Sequence, residues 1–204
     1  MIVTKIEACE NKKCKIYLND APAFELYKSE IKSCNLTEGM EIEDDFQDKI
    51  LYEIVGKRAK KRAMHILQKH DKTEQQLRDK LLENRYPIQA VEHAIAYVKS
   101  YGYIDDVSYA RRYIEYRSSR KSRKQLRMEL YSKGISSEII SQVMEESRDG
   151  EIDVIKALIL KKSASLHTMD EEAKRKLKNS LMRKGFVYTE IDRAFSQLES
   201  LIHS

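Results

Sequence analysis

The chain has 204 residues, of which 41% are hydrophobic and 35% are charged, and this balance excludes an intrinsically disordered polypeptide. No run of about eighteen apolar residues occurs and the first residues are polar, so we expect neither a membrane span nor a secretory signal. The three cysteines lack a Cys-x-x-Cys spacing, which favours reduced thiols. We therefore expect a cytoplasmic protein without a membrane partner.

Charge is distributed unevenly along the chain. Although the net charge is +5, residues 1–56 hold 7 Lys against 12 Asp and Glu, which leaves residues 57–204 at +10. The excess is greatest in residues 110–133, with nine basic side chains against two acidic ones. Such an excess favours a polyanion or an acidic protein as partner, whereas a solvated helix surface is the alternative without a binding function.

The first forty residues are predicted to contain a β-hairpin. The stretches TKIEA and CKIYL alternate apolar and polar residues on either side of a polar tract, as paired strands do. The stretch DAPAFELY then predicts a turn at Ala21-Pro22, followed by a short strand or the approach to a helix.

Helix is the expected structure for most of the remaining chain, because only six Gly and two Pro interrupt the whole sequence. A helix is predicted to start at Asp44 or Asp45, and the basic stretch KRAKKRAMHILQK follows Gly56. Because the charge changes sign there, we place a module boundary near Gly56, although one long helix through this residue also fits the pattern.

Residues 57–204 contain an internal repeat of about fifty residues. The stretches TEQQLRDKLLENRY, SRKQLRMELYSKGI and AKRKLKNSLMRKGF align, and each has a periodic apolar segment before and after it. We therefore predict a mainly α protein of tandem three-helix repeats in an elongated curved array, with a small N-terminal segment that contains a β-hairpin. The predicted segments are 1–56, 57–103, 104–149 and 150–204.

Helix starts are predicted from capping residues. Thr73 with Gln76, and Thr168 with Glu171, have the spacing of a capping box, and Pro87 suits a first helical position. The stretch SRDG is the clearest linker between two repeats.

Helix ends are predicted from glycine. Gly102, Gly134 and Gly185 suit the left-handed residue that ends a helix. Arg85 stands where the first repeat would have such a glycine, so we expect its turn to use Tyr86 and Pro87 instead.

No pattern in the sequence indicates catalysis. The glycines stand singly, no two histidines have the His-x-x-x-His spacing, and no Ser or Cys lies in a recognisable nucleophile motif. We predict that the protein is not an enzyme and has no catalytic residues, no metal site and no cofactor.

The stretch GYIDDVSYARRYIEYR, residues 102–117, begins a helix. Asp105 and Asp106 are explained as the cap and first turn, where negative charge complements the helix dipole. On a helical wheel Tyr109 and Tyr113 lie on the apolar side, which predicts that both pack against the core with their hydroxyls at its rim.

The binding candidates are basic residues on and after this helix. Arg117 lies on the apolar arc, and we assign it the structural role of satisfying terminal carbonyls or a buried carboxylate. Cations at the start of the next helix oppose its dipole, which suggests a binding function, although a soluble basic face is the alternative. The provisional partner- or DNA-binding residues are Arg111, Arg112, Arg120, Lys121, Arg123, Lys124 and Arg127.

The two stretches GYIDDVSYARRYIEYR and QLRMELYSKGIS together resemble the signature of the RecX family, bacterial regulators of the RecA recombinase. The resemblance covers about residues 58–201 and implies tandem three-helix modules. It also implies binding to the RecA filament on DNA along its groove, with inhibition of ATP hydrolysis and strand exchange or limited filament growth. We expect a monomer that binds DNA within the filament and only weakly alone. The alternatives are a direct helical DNA-binding protein that acts without RecA and a purely structural scaffold.

Overall fold

The computed structural model describes residues 1–8, 12–147, 150–162 and 169–202. The chain forms two compact units, Met1–Asp105 and Asp106–Ser204. The predicted mainly α fold with a small N-terminal β segment is confirmed. None of the described helices is both long enough and apolar enough to span a bilayer.

Three antiparallel strands form the sheet of the first unit: β1 (Val3–Ala8), β2 (Lys13–Leu18) and β3 (Ala21–Tyr27), in the order β1-β2-β3. The predicted hairpin is confirmed, but the turn at Ala21-Pro22 is wrong. The turn lies at Asn19 and Asp20, with φ of 47° and 65°, because short polar side chains tolerate the left-handed region. Pro22 lies within β3, an edge strand, where its missing N–H costs no hydrogen bond inside the sheet.

The first unit continues with helices α1 (Lys28–Ser33), α2 (Asp44–Lys49), α3 (Lys57–Lys69), α4 (Glu74–Glu83) and α5 (Ile88–Ser100), and a π-helical segment, Ile50–Gly56, joins α2 to α3. The N-cap of α2 is Glu43, so the predicted caps Asp44 and Asp45 lie in the first turn instead. Gly56 has helical dihedral angles, and a Cβ atom there would lie 3.1 Å from Nδ1 of His93. This glycine therefore permits close packing and does not end the helix.

One hydrophobic core joins the N-terminal segment to the first repeat. Val3, Ile16 and Leu26 of the sheet belong to the same buried cluster as Leu77 and Leu81 of α4. The segment 1–56 is thus packed on the first repeat, a point that composition left open. The division into segments 1–56, 57–103, 104–149 and 150–204 stays a prediction.

The second unit contains the helices of the second and third repeats: α6 (Asp106–Ser118), α7 (Arg123–Ser132), α8 (Ser137–Glu146), α9 (Glu151–Lys162), α10 (Glu171–Arg183) and α11 (Tyr188–Ile202). Each repeat has its own buried cluster. Leu126 and Leu130 are central to the first of these clusters, and Leu177 and Leu181 lie in the second. The aligned leucines of the sequence are therefore core residues.

The second helix of each repeat ends in the same left-handed turn. Arg85, Gly134 and Gly185 have φ of 61°, 82° and 88°, and each donates its N–H to the carbonyl three residues earlier. The expectation that Arg85 would avoid this conformation is wrong. A left-handed non-glycine residue costs roughly 1–2 kcal/mol, which the hydrogen bonds of the turn and the packing around it offset. Gly102 also has a positive φ, as predicted.

The predicted helix starts are partly confirmed. Thr73 and Gln76 form the expected capping box of α4. Pro87 is the N-cap of α5, one position before the predicted one, with an extended ψ of 149°. Thr168 lies outside the described residues, and Asp170 caps α10 by accepting a hydrogen bond from the N–H of Ala173 at 2.6 Å.

Two further predictions concern the SRDG linker and the cysteine thiols. The central residues of the SRDG linker, Arg148 and Asp149, lie outside the described residues, as does Cys9. Cys14 is buried and Cys34 is half-buried, and both are free thiols.

Candidate functional site

Helix α6 has the faces that its sequence predicts. Asp106 is its first residue and Asp105 directly precedes it. Tyr109 and Tyr113 are half-buried against the core of the second repeat, and their rings stack with centroids 6.2 Å apart. Arg111 lies on the exposed side, as does its neighbour Arg112 in the sequence. The tyrosines are therefore structural residues, as expected.

Lys121 is engaged in an internal contact. Its Nζ atom pairs with Oε1 of Glu129, and the hydroxyl of Tyr113 donates to Oε2 of Glu129 at 2.7 Å. These hydrogen bonds, first that of Lys121, lower the pKa of Glu129. Burial and the bond to Glu129 raise the pKa of Tyr113 to about 12. Lys121 therefore neutralises a carboxylate of its own repeat.

Arg111 joins α6 to α8. Its Nε and Nη2 atoms donate to the two carboxylate oxygens of Glu146 at 2.8 and 3.0 Å, a bidentate pair. The pair lowers the pKa of Glu146. Because half of the Arg111 side chain is exposed, water screens the attraction, and the pair orients the side chain more than it stabilises the fold.

Arg123 closes the C-terminal end of α8. Its guanidinium donates to the carbonyl oxygens of Met144 and Ser147 at 2.5 and 2.7 Å, which belong to the last turn and the C-cap of this helix. Its backbone N–H donates to Oε1 of Glu151 at 3.0 Å. Burial raises the pKa of the Glu151 carboxyl. The structural role that the sequence predicted for Arg117 is thus performed by Arg123.

The predicted contact of Arg117 with terminal carbonyls or a buried carboxylate is wrong. The side chain is exposed, and its guanidinium carbon lies 5.6 and 5.9 Å from the ring centroids of Tyr113 and Tyr116. A cation over aromatic rings keeps its charged end in water while its stem covers apolar surface, so the helical wheel correctly indicated packing but not the partner.

The remaining candidates are exposed cations of the basic turn, residues 120–127, which comprises the turn before α7 and the start of this helix. Within the described part of the chain, Arg120 and Lys124 form no ion pair, and Arg127 makes only a bond of 3.3 Å to the hydroxyl of Ser141. Lys124 and Arg127 are three residues apart on α7 and so project from one side of the helix. These three residues are available to an anionic partner.

A buried serine anchors this basic turn, and the sequence reasoning missed it. Ser122 is fully buried, caps α7 by accepting from the N–H of Gln125 at 3.3 Å, and donates to the carbonyl of Lys184 at 2.7 Å. Its hydroxyl therefore joins the second repeat to the end of α10. Ser122 aligns in the repeat with Thr73, the N-cap of α4, and this alignment could have predicted its role as a helix cap.

A groove of about 570 Å³ lies beside the turn, between α6, α7, α8 and α9. Ile114, Leu126 and Met144 contribute its apolar lining. Its charged lining residues are balanced, three basic against three acidic: Arg111, Lys121, Arg123, Glu115, Glu146 and Glu151. The groove is therefore a poor phosphate site, and the positive charge lies outside it. No three His, Cys, Asp or Glu side chains in the described ranges are arranged to hold a metal ion.

Comparison with known proteins gives a consistent assignment. Models for the first, second and third three-helix domains of RecX match residues 59–97, 105–144 and 149–195. Regulatory protein RecX of Clostridium tetani is 31% identical over 203 residues, which cover 96% of this chain and 94% of that protein. The RecX of Clostridium acetobutylicum is 28% identical over 206 residues, covering 97% and 96%. A crystal structure of regulatory protein RecX, 24% identical, superposes with a TM-score of 0.63 and covers 94% of this chain and 97% of that one. Because three domain models match in the order of the repeats and relatives are similar along nearly their whole length, this chain belongs to the RecX family.

Proposed function

We propose that the chain regulates the RecA recombinase by binding its filament on DNA along the groove, and that it thereby inhibits ATP hydrolysis and strand exchange or limits filament growth. The observation that carries the proposal is the match of nearly the whole chain to RecX regulatory proteins, with all three domains in order. The chain acts as a cytoplasmic monomer and contributes no catalytic residue of its own.

The exposed cations of the second repeat support this proposal. A filament on DNA offers phosphates and protein carboxylates together, and among the described residues Arg120, Lys124 and Arg127 are exposed without a carboxylate partner. A carboxylate or phosphate that pairs with Arg120 and Lys124 displaces water, and at Arg127 it competes only with the long bond of 3.3 Å to the hydroxyl of Ser141. Tandem modules would repeat weak contacts along successive subunits, which raises the overall affinity without any strong single contact.

The test is ATP hydrolysis by preformed RecA filaments on single-stranded DNA. We expect micromolar concentrations of the chain to inhibit hydrolysis. The combined variant Arg120→Glu, Lys124→Glu and Arg127→Glu should inhibit much less, with unchanged helicity and melting temperature. Lys121 and Arg123 are left intact because they hold internal contacts.

The matched control reverses the same number of exposed cations in the third repeat. These are Arg175 and Arg183 of α10 and Arg193 of α11, which form no ion pair among the described residues. If both triple variants lose inhibition equally, net charge and not the basic turn is responsible. If the native chain has no effect on hydrolysis, the proposed mechanism is wrong.

The second candidate is a DNA-binding protein that acts without RecA. The charge of +10 in residues 57–204 favours it. In that case duplex binding would need no recombinase, and the logarithm of affinity would fall with the logarithm of salt by about 0.9 for each neutralised phosphate. If the chain binds naked DNA weakly, with an affinity that depends little on salt, and still inhibits filaments, RecA is favoured as the partner.

A further inference from the structure

A row of three tyrosine rings, of which the first is half-buried, lies at the C-terminal end of α5 in the first unit. Tyr97 and Tyr101 are one helical turn apart, with ring centroids at 4.9 Å. Tyr103 continues the row, its ring 6.0 Å from that of Tyr101 and inclined by only 22°. Tyr101 is 62% exposed and Tyr103 is 51% exposed. The last two rings thus lie nearly parallel and in contact with solvent.

The first ring of the row adjoins lysine residues of α3. Residues 57–70 hold six Lys and Arg and no Asp or Glu. Lys60 lies over Tyr97, with Nζ 4.9 Å from the ring centroid. Lys57 and Lys61 are three and one residues from Lys60 and are exposed. In the described ranges of the chain, none of these three lysines forms an ion pair.

Arg58 of the same helix has structural partners, which distinguishes it from the three lysines. Arg58 donates to the carbonyl of Glu25 at 2.5 Å, approaches Glu30 at 3.4 Å and lies 4.9 Å from the ring of Tyr27. Arg58 therefore holds the N-terminal segment on the helix. Among the described residues, none of the three lysines forms an ion pair or a side-chain hydrogen bond.

We propose that Tyr97, Tyr101 and Tyr103, with Lys57, Lys60 and Lys61, form a stacking site for unpaired bases of a single-stranded nucleic acid. Every base has a flat π-face that stacks on tyrosine whatever its identity, and adjacent lysines neutralise the connecting phosphates. Such a combination of aromatic faces and a basic groove is how sequence-independent single-strand binding is achieved.

Charge and ring geometry together favour this occupant over a protein segment. The charged residues of α3 are all cations, which requires an anionic occupant, and the nearly parallel rings of Tyr101 and Tyr103 present flat faces that suit stacked bases better than an acidic peptide. Isolated tyrosines elsewhere lack the arrangement. Tyr116 and Tyr131 are 81% and 68% exposed, yet in the described structure neither stacks on another ring.

The site adds to the regulatory function proposed above without resting on it, because binding to an oligonucleotide is measured without recombinase. The experiment titrates the full-length chain into a fluorescently labelled oligo(dT) and follows anisotropy over a series of salt concentrations. The combined Tyr101→Ala and Tyr103→Ala variant should bind about 5- to 150-fold more weakly, the range expected for the loss of stacking on about one base. Its salt dependence should be unchanged.

The controls distinguish the effect of losing the aromatic rings from the effects of losing positive charge and of disturbing the fold. Tyr101→Phe with Tyr103→Phe keeps both ring faces and should bind like the native chain, while Tyr116→Ala with Tyr131→Ala should also bind normally. Combined Lys57→Gln, Lys60→Gln and Lys61→Gln should reduce the salt slope by about 2, since each phosphate contact on a single strand contributes about 0.7.

Three results would overturn the proposal. The first is that the native chain does not bind oligo(dT), and the second is that the alanine variant at Tyr101 and Tyr103 binds as well as the variant at Tyr116 and Tyr131. The third is that the same alanine variant loses inhibition of RecA filaments while its oligonucleotide binding is intact, which would assign the tyrosines to a protein partner. Failure of the native chain to inhibit filaments, with oligonucleotide binding as expected, would refute only the regulatory proposal.

Discussion

Gly185 provides the sharpest test of how the second and third repeats are joined. It ends α10 with a φ of 88°, and a Cβ atom placed on it would lie 2.9 Å from Oγ of Ser122 and 3.3 Å from Cβ of Lys124. Ser122 is the residue whose hydroxyl donates to the carbonyl of Lys184. Gly185→Ala therefore strains the backbone and also pushes the two repeats apart.

The matched control is Gly102→Ala. Gly102 has a similar φ of 68°, but a Cβ atom there would meet nothing within 4 Å. Alanine in the left-handed region costs about 1–2 kcal/mol, partly offset by about 0.4–1 kcal/mol from the reduced entropy of the unfolded chain. At Gly185 overpacking adds about 1–3 kcal/mol, and loss of the Ser122 hydrogen bond adds about 1 kcal/mol. We expect Gly185→Ala to lose about 2–4 kcal/mol more than Gly102→Ala.

The assay is unfolding followed by far-ultraviolet circular dichroism, in urea and by heating. For a chain of this size a difference of about 2 kcal/mol lowers the melting temperature by about 4–8 °C. Combining Gly185→Ala with Ser122→Ala, which removes the contacting hydroxyl, should cost less than the sum of the two single changes. Equal losses for the two glycine variants, or strict additivity with Ser122→Ala, would refute the close approach as the cause.

Two further predictions concern the basic turn and its acidic neighbour. Arg123→Ala removes the donor to two carbonyls at the end of α8 and should lower the free energy of unfolding in urea by about 1–3 kcal/mol. Arg120→Ala should change this free energy by no more than about 0.5 kcal/mol. Equal effects of the two changes would contradict the structural role of Arg123. Because burial raises the pKa of Glu151, the native state favours its protonated form, and the contribution of this group to the free energy of unfolding falls as pH rises above about 4.3. Glu151→Gln keeps an acceptor for the Arg123 N–H, so its stability relative to the native chain should be greater at about pH 7 than at about pH 4. A difference independent of pH would show that folding does not raise the pKa of Glu151.

The repeats and the faces of their helices were predictable because they depend on local spacing. Leu77 and Leu81 stand one turn apart, as do their counterparts in the other repeats, and this period alone puts them on a buried side. The left-handed turns at Gly134 and Gly185 were also predictable, because they depend on the local preference of glycine. The error at Arg85 arose because a glycine preference is only a matter of about 1–2 kcal/mol, which tertiary contacts can offset.

Which cations are available to a partner was decided only by the tertiary structure. A helical wheel shows that a side chain points outward but not what it meets, since the partners are distant in sequence: Arg111 pairs with Glu146 on another helix, and Arg123 reaches the carbonyl of Ser147. The row formed by Tyr97, Tyr101 and Tyr103 likewise acquires its charge from α3, a separate helix. Sequence thus determines which residues are exposed along each helix, and packing between helices determines which of them are left without partners.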